Sequence, residues 1–401
     1  MSLNYEQLQP QVRDLGERAV VRENHLNKIR KRAGDLLQEF AQQTDRLQGK
    51  VEKAAGQYPA LRCARPKNEA LTSRFTAPEI PDKVGILAAD GSQINPDPHA
   101  AVQYYLVNVG GIWFDLHRDY PPQTSIETQL RFEEDIYTSH GLVSQGHVAL
   151  ERDVAEREYI AIKAGPLCKA GKDPFPLVTL TDGPLELWES HDRSGSRSPA
   201  FRKGLKRYQE ALRDLSRMGT VTAGYVDKPR ADYVLRLLEL ATLADGELSK
   251  IAEHHPFQGL SDIDLYASLL RPGERSGVFG IQAFSSSDYT DEIALHFFYL
   301  NVGRVGNPWL ARVEIPAWVV EDGEKMDCLH AVLLQQCRMM GGVGYPYVLH
   351  RAHEIAVVGR EEQELLTEMI LRERRKRGVS VGQRSHKRYY KDQAGRKRYR
   401  R

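Results

Sequence analysis

Two short apolar runs in this chain end in the same way. Val84-Gly-Ile-Leu-Ala-Ala leads into Asp90-Gly91-Ser92, and Leu177-Val-Thr-Leu-Thr leads into Asp182-Gly183-Pro184. Apolar runs this short, cut off by a turn signal, read as buried strands. A carboxylate at the end of such a strand points into the cleft beyond the sheet edge. The glycine after it lets a ligand approach the backbone. The blander reading of Asp-Gly is a simple turn. That reading is preferred for one such dipeptide, but two, each directly after a buried strand, favour a site.

The rest of the chain alternates strands and helices. Further strands are expected at 102–114, with a bend or hairpin at Gly110-Gly111, at 220–226, and as a hairpin of 293–302 with 310–319. Helices are expected at 147–164, ended by Gly165-Pro166, at 201–218 on the surface, and at 232–243, 327–340 and 361–377. Residues 345–358 read as a helix running into a strand. This order predicts an α/β fold, a mixed sheet flanked by helices. Leu8, Val12, Leu15 and Ala19, then Leu26, Ile29, Ala33, Leu36 and Leu37, recur at three- and four-residue steps. They predict a helical N-terminal arm over 1–75. The main domain is placed at 80–370, with 245–287 as a surface insertion that is irregular from Pro256 onward.

Net charge is +2, but its distribution is uneven. Residues 371–401 carry 14 Lys or Arg against Glu373 and Asp392, so that tail holds +12 and the other 370 residues hold −10. A basic tail on an acidic body predicts a polyanion partner, with a merely solubilising, disordered end as the alternative. Tyr389, Tyr390 and Tyr399 lie among those cations, which favours nucleic acid: rings stack on bases while cations meet phosphates. Cys63, Cys168, Cys328 and Cys337 are scattered, with no Cys-x-x-Cys pair, and read as reduced, buried thiols. No secretion signal or membrane span is legible, so a cytoplasmic protein is expected. No Gly-x-x-x-x-Gly-Lys-Ser/Thr loop exists, which argues against nucleotide hydrolysis.

The blocks around the two aspartates resemble the NurA nucleases. Asp90-Gly91-Ser92 and Leu180-Thr-Asp182-Gly183-Pro184-Leu185 match that family's two strand ends. Gly224-Tyr-Val-Asp227-Lys-Pro229, Phe297 to Val302, Arg312-Val-Glu-Ile-Pro316, and Tyr345-Pro346 with Ala352-His353 follow in the family's order. The resemblance spans about residues 80–360. It implies an RNase H-like core and a Mn²⁺- or Mg²⁺-dependent deoxyribonuclease. It further implies a single-stranded endonuclease and 5'-3' exonuclease acting in DNA end resection and double-strand break repair. The partners it implies are a second copy of the chain and a HerA-type hexameric ATPase/helicase. Asp90 and Asp182 would be metal ligands. His353 would lie near the metal or scissile phosphate, and Tyr345 would contact a phosphate. A glutamate on the helix before the second aspartate strand completes the family's set. Here Glu151, Glu156 and Glu158 compete for that place.

Physical chemistry supports the core of this reading. Two carboxylates on neighbouring strands raise each other's pKa unless a cation lies between them, and hard cations take carboxylate oxygens. Val148, Ala155, Tyr159 and Ile162 mark the helix's apolar face, with Glu151 and Glu158 nearest it, and Glu158 is the choice on that ground. Solvated helix charge is the ordinary fate of all three glutamates. His353 could be a structural histidine, Tyr345 a helix end before proline, and Asp227 a helix cap. The competing functions are a catalytically silent scaffold of the same fold, binding DNA or an ATPase, and an RNA-directed nuclease.

Overall fold

The computed structural model describes residues 3–116, 121–138, 141–169, 175–188, 197–341 and 343–379. In chain order, α1 (Tyr5–Glu39) and α2 (Thr44–Gln57) precede β1 (Cys63–Pro66). Next come β2 (Gly85–Ile94), β3 (Tyr104–Asp115) and β4 (Gln123–Phe132), then α3 (Gln145–Lys169), β5 (Leu177–Asp182) and α4 (Pro199–Arg217). The chain continues through β6 (Val221–Val226), α5 (Tyr233–Thr242), β7 (Phe279–Gln282), β8 (Leu295–Asn301) and β9 (Leu310–Pro316). It ends in α6 (Gly323–Met339), α7 (Tyr347–Ala356) and α8 (Arg360–Lys376). These elements form two compact units. One holds Met1–Pro81, Gly183–Leu185 and Val221–Pro346; the other holds Asp82–Asp182, Glu186–Thr220 and Tyr347–Arg401. They are called here the arm unit and the carboxylate unit.

In the carboxylate unit the strand order is β5-β2-β3-β4. β2, β3 and β4 form an antiparallel meander, with Asp90 opposite Gly110 and Gly110 opposite Ile126. β5 returns parallel to β2, with Ala89 beside Thr181. A parallel neighbour needs a crossover, and α3 supplies it. Three antiparallel strands with a parallel strand returning beside the first make the RNase H-like mixed sheet.

β3 runs through Gly110-Gly111 without the expected bend. The glycines serve close packing instead. Successive residues of a strand face opposite sides. A Cβ on Gly110 would lie 2.5 Å from the Ala356 backbone nitrogen in α7, and one on Gly111 would lie 2.6 Å from Tyr159 Cζ in α3. Missing side chains at two adjacent positions thus let a helix close on each face. Asn108 Nδ2 and Ser92 Oγ both donate to the Ala356 carbonyl and fasten the end of α7 to the sheet (2.8 Å for Asn108).

Three further expectations change. α3 passes through Gly165-Pro166 to Lys169, because the proline falls in the last turn, where little helix remains to be broken. α4 is not an exposed helix: Phe201, Leu205, Tyr208, Leu212 and Leu215 are buried along one face. It begins as the sequence dictates, with Ser198 Oγ accepting from Phe201 N at 3.0 Å and Pro199 in the first turn. After α7 the chain forms no strand and turns directly into α8, with Val358, Leu366 and Ile370 packed on Ile94, Tyr104 and Leu106.

The arm unit has the strand order β1-β7-β8-β9-β6. The expected hairpin is present, with Leu295 opposite Pro316 and Asn301 opposite Leu310. The stretch 245–287, read from sequence as a surface insertion, supplies β7, which pairs with both β1 and β8. Tyr266 and Phe279 from this stretch are fully buried and stack on Tyr299 and Phe297. Asp262, also buried, accepts from Val234 N and Leu235 N at 2.9 Å and so caps α5. Two helices make up the arm itself. α1 turns its apolar stripe inward at Ala33 and Leu37 but leaves Val12 and Leu15 exposed. Cys63, Cys328 and Cys337 are buried, whereas Cys168 is exposed. The basic tail lies outside the described residues from residue 380 onward, including Tyr389, Tyr390 and Tyr399. Among the described residues no helix is long and apolar enough to cross a membrane.

Candidate active site

The carboxylate unit brings Asp90 and Asp182 together. Ala89 and Thr181 are partners in the parallel register, so the two aspartates occupy the next position on neighbouring strands. Strands pair at about 4.8 Å, and residues in register share a face, so the two carboxylates are close neighbours. Asp90 is partly buried and Asp182 exposed.

Asp90 is held from two directions. Its Oδ1 accepts from Gly91 N at 2.9 Å, and its Oδ2 is 2.6 Å from His353 Nδ1. His353 comes from α7, on the face that Gly110 leaves open. Its side chain is 62% exposed while that of Asp90 is 15% exposed. The histidine therefore forms the wet side of this pair.

α3 approaches on the opposite face, at Gly91. A Cβ on Gly91 would meet Glu156 and lie 2.6 Å from Arg152 Cγ, so only glycine admits these side chains. Arg152 Nη2 bonds Asp153 Oδ1 at 2.7 Å, and its Nε is 3.4 Å from Glu156 Oε1. Burial pushes the Glu156 carboxyl well above the ordinary range; Asp153 adds to this, Arg152 opposes it and Asp90 adds again. Asp153 is also raised, by burial first, against the pull of Arg152 and with a push from Asp90. Asp90 thus acts on both acids, and β2 and the helix face form one electrostatic cluster.

Glu158 is not in this cluster. It lies on the other side of α3, where Arg207 of α4 donates to both its oxygens (2.8 Å from Nε) and to Glu151 (3.2 Å). Two residues along a helix turn the side chain by about 200°, so Glu156 and Glu158 cannot share a face. The apolar-face argument failed because both faces of α3 are covered, one by the sheet and the other by α4. The useful signal was Gly91: a glycine inside a buried strand marks a close approach, and the approaching groups are Arg152 and Glu156.

Tyr345 belongs to the arm unit, two residues before α7 begins. Its ring stands edge-on to Tyr225 at 5.8 Å, and the Tyr225 hydroxyl donates to the Gly344 carbonyl at 2.7 Å. Asp227 does not cap a helix; it accepts from Trp309 Nε1 at 2.8 Å.

One further residue escaped sequence reading. Arg157 is 2% exposed, yet its Nε and Nη1 have no hydrogen-bond partner. Its Nη2 donates to Thr181 Oγ1 at 2.8 Å and thereby grips β5 immediately before Asp182. Its charge also acts on Glu156.

The donors suit a hard divalent cation: several carboxylates, one buried, lie on or beside β2, with one histidine near them. As the side chains stand, no three such groups among the described residues close around a single point. His353 bonds Asp90, and Arg152 bonds Asp153 and stands 3.4 Å from Glu156. The fit to a cation therefore lies in the donor types alone.

An RNase H-like sheet with acids on neighbouring parallel strands, Asp90 within β2 and Asp182 at the end of β5, defines an α/β protein with a carboxylate centre. More particularly, the chain belongs to the NurA family, because the NurA domain model matches residues 84–358. Among solved structures it is similar to the NurA nuclease from Sulfolobus solfataricus, at 14% identity, 76% of this chain, 87% of that one and a TM-score of 0.47. It is also similar to the Kluyveromyces polysporus Argonaute with a guide RNA, at 12% identity, 68% and 26% coverage and a TM-score of 0.29. LC9-RNase H1 matches at 14% identity, 37% and 64% coverage and a TM-score of 0.21. No functionally curated protein matches the sequence.

Proposed function

We propose that this chain is a divalent-cation-dependent deoxyribonuclease that hydrolyses phosphodiesters of single-stranded DNA and DNA ends. The observation that carries this reading is the parallel register of β2 and β5, which makes Asp90 and Asp182 neighbours. Asp90, Asp182 and Glu156 hold the cation, Glu156 taking the place that sequence reasoning gave to Glu158. Bound Mn²⁺ or Mg²⁺ supplies Lewis-acid polarisation of a phosphate oxygen and neutralises developing charge.

The chain's own residues do the rest. Gly91 keeps the backbone beside Asp90 bare, so a phosphate can approach. The Asp90 carboxylate accepts from His353 Nδ1–H, which fixes the ring's tautomer and leaves Nε2 for solvent or substrate. From there His353 stabilises charge on a phosphate oxygen or passes a proton to the leaving oxygen. Tyr345 is the phosphate contact that the family resemblance implies. A second copy of the chain and a HerA-type ATPase are the partners in end processing, and the basic tail adds DNA affinity without sequence preference.

The test is cleavage of end-labelled single-stranded DNA with Mn²⁺, Mg²⁺ or EDTA by the native chain, Asp90→Asn and Asp182→Asn. Metal-dependent cutting lost in both variants is expected. Cutting that survives both would place the centre elsewhere. DNA binding without cutting under any metal, with a HerA-type partner present, would favour the silent scaffold.

A further inference from the structure

The turn that joins β8 to β9 in the arm unit ends on a half-buried tryptophan, Trp309. Its indole is held from several directions. Nε1 donates to Asp227 Oδ1 at 2.8 Å, and Lys228 Nζ stands 4.5 Å from the ring centroid. Gly344 comes up against the pyrrole ring, where a Cβ would lie 2.6 Å from Trp309 Cδ1. Lys228 adopts φ +48°, in the left-handed region that costs a non-glycine residue energy.

Trp309 is a wall common to two hollows of the arm unit. One, of about 380 Å³, is lined by Arg304, Asn307, Leu334, Arg338 and Gly344 among others. The other, of about 450 Å³, is lined by Arg30, Lys228, Ile263, Asp264 and Pro308 among others. Each falls in the size range of sites for small organic groups, about 300–1,000 Å³.

The charge of this face runs against that of the chain. The described lining of the first hollow contains no acid. Arg304 and Arg338 are exposed, and among the described residues neither pairs with a carboxylate; Arg304 Nη2 donates to the Gly341 carbonyl at 2.8 Å. In the second hollow Arg30 stands 3.6 Å from Asp264, which already accepts from Ser261. Four cations thus surround one tryptophan, with Asp264 and the indole-bound Asp227 as the acids beside them. Residues 1–370 carry a net −10, so this basic face is a local feature and not the general character of the surface.

We propose that single-stranded DNA lies across this face of the arm unit, its unstacked bases entering the two hollows that share Trp309 and its phosphates meeting Arg304, Arg338 and Lys228. An aromatic platform beside unpaired cations is what sequence-tolerant single-strand binding needs. A duplex keeps its bases paired and stacked, so it has none to offer. The inference rests on single-stranded DNA being the substrate, and does not depend on the cation centre.

The experiment uses the full chain in EDTA, so that binding is read without cleavage. A single-stranded oligonucleotide carrying iododeoxyuridine is irradiated with the native chain, and the cross-linked residue is found by mass spectrometry. Fluorescence anisotropy of a labelled oligonucleotide then compares the native chain with Trp309→Leu and with a double variant, Arg304→Ala with Arg338→Ala, at two exposed positions. Circular dichroism checks that each is folded. The expected cross-link is at Trp309, and the duplex of the same sequence should not form it. Trp309→Leu should bind roughly ten-fold more weakly with an unchanged salt slope, because stacking releases no counterion. The arginine double variant should bind roughly ten-fold more weakly with a shallower slope. Cross-links confined to the tail beyond residue 379, or native affinity and salt slope in the double variant, would overturn the proposal. Cleavage is read separately with Mn²⁺, so a failed nuclease and a failed binding face are told apart.

Discussion

α3 carries two pairs of acids, and the contrast between them says where the chemistry is. Glu151 and Glu158 flank Arg207; Asp153 and Glu156 flank Arg152. On paper the two groups are the same. The first is partly exposed and its two acids meet only an arginine on a neighbouring helix. The second is more deeply buried at Glu156, and Asp90 pushes further negative charge onto it. A balanced group adds local order. A buried acid pressed by a further carboxylate costs stability, and sites that bind are of this second kind.

The sharpest way to break this contrast is to neutralise acids of the Arg152 group and compare them with Glu158. Glu156→Gln and Asp90→Asn should each lower metal-dependent DNA cleavage by roughly 10³-fold, about 4 kcal/mol in the barrier. Single-turnover cleavage of labelled DNA reads this directly. Equal losses in Glu156→Gln and Glu158→Gln would erase the distinction.

A second prediction acts through packing. Gly110→Ala would push a methyl group into α7 at Ala356, costing about 1–3 kcal/mol of stability. It should also draw His353 away from Asp90, lowering cleavage by roughly ten-fold (about 1.4 kcal/mol) while leaving the Arg207 group untouched. A variant that melts lower yet cuts at the native rate would mean that the Asp90–His353 contact is dispensable.

A third concerns pH. Burial raises the Glu156 carboxyl well above its ordinary 4.5. An acid with a raised folded-state pKa contributes stability that is complete below the unfolded value and lost as pH rises through the folded one. Metal-free Glu156→Gln avoids that loss. It should melt above the native chain at about pH 8 in EDTA, with the gap narrowing toward about pH 5. A gap that stays constant between these pH values would argue that Glu156 is not the strained group.

The smallest effect belongs to the balanced side. Glu158→Gln removes half of a partly exposed ion pair, worth a few tenths to about 1 kcal/mol. Its cleavage rate should stay within about two-fold of native, as the same assay would show.

Much of the carboxylate unit was legible because its signals are local. The runs leading to Asp90 and Asp182 announced themselves as buried strands, although β2 continues past Asp90 to Ile94 because residues 91–94 go on pairing with β3. What stayed hidden depends on contacts between distant residues. Glu156 and Glu158 are equivalent on the helix alone; β2 and α4 decide between them from opposite sides. Gly110-Gly111 looked like a break because glycine weakens an isolated strand, whereas two helices here require it. The 245–287 stretch looked irregular because its one longer strand has only four residues, Phe279–Gln282, and pairs with strands far away in sequence. Arg157 gave no signal at all, since nothing local separates a buried arginine from a solvated one.

The hydrogen bond between His353 and Asp90 spans 263 residues. During synthesis at about 5–20 residues per second, Asp90 is made roughly 13–50 s before its histidine. The helix that closes one face of the sheet arrives at the same late moment, fastened by Asn108 and Ser92 to the end of α7. Until His353 is made, whatever the finished centre does to a polyanion, the growing chain cannot do it with this histidine beside messenger and ribosomal RNA.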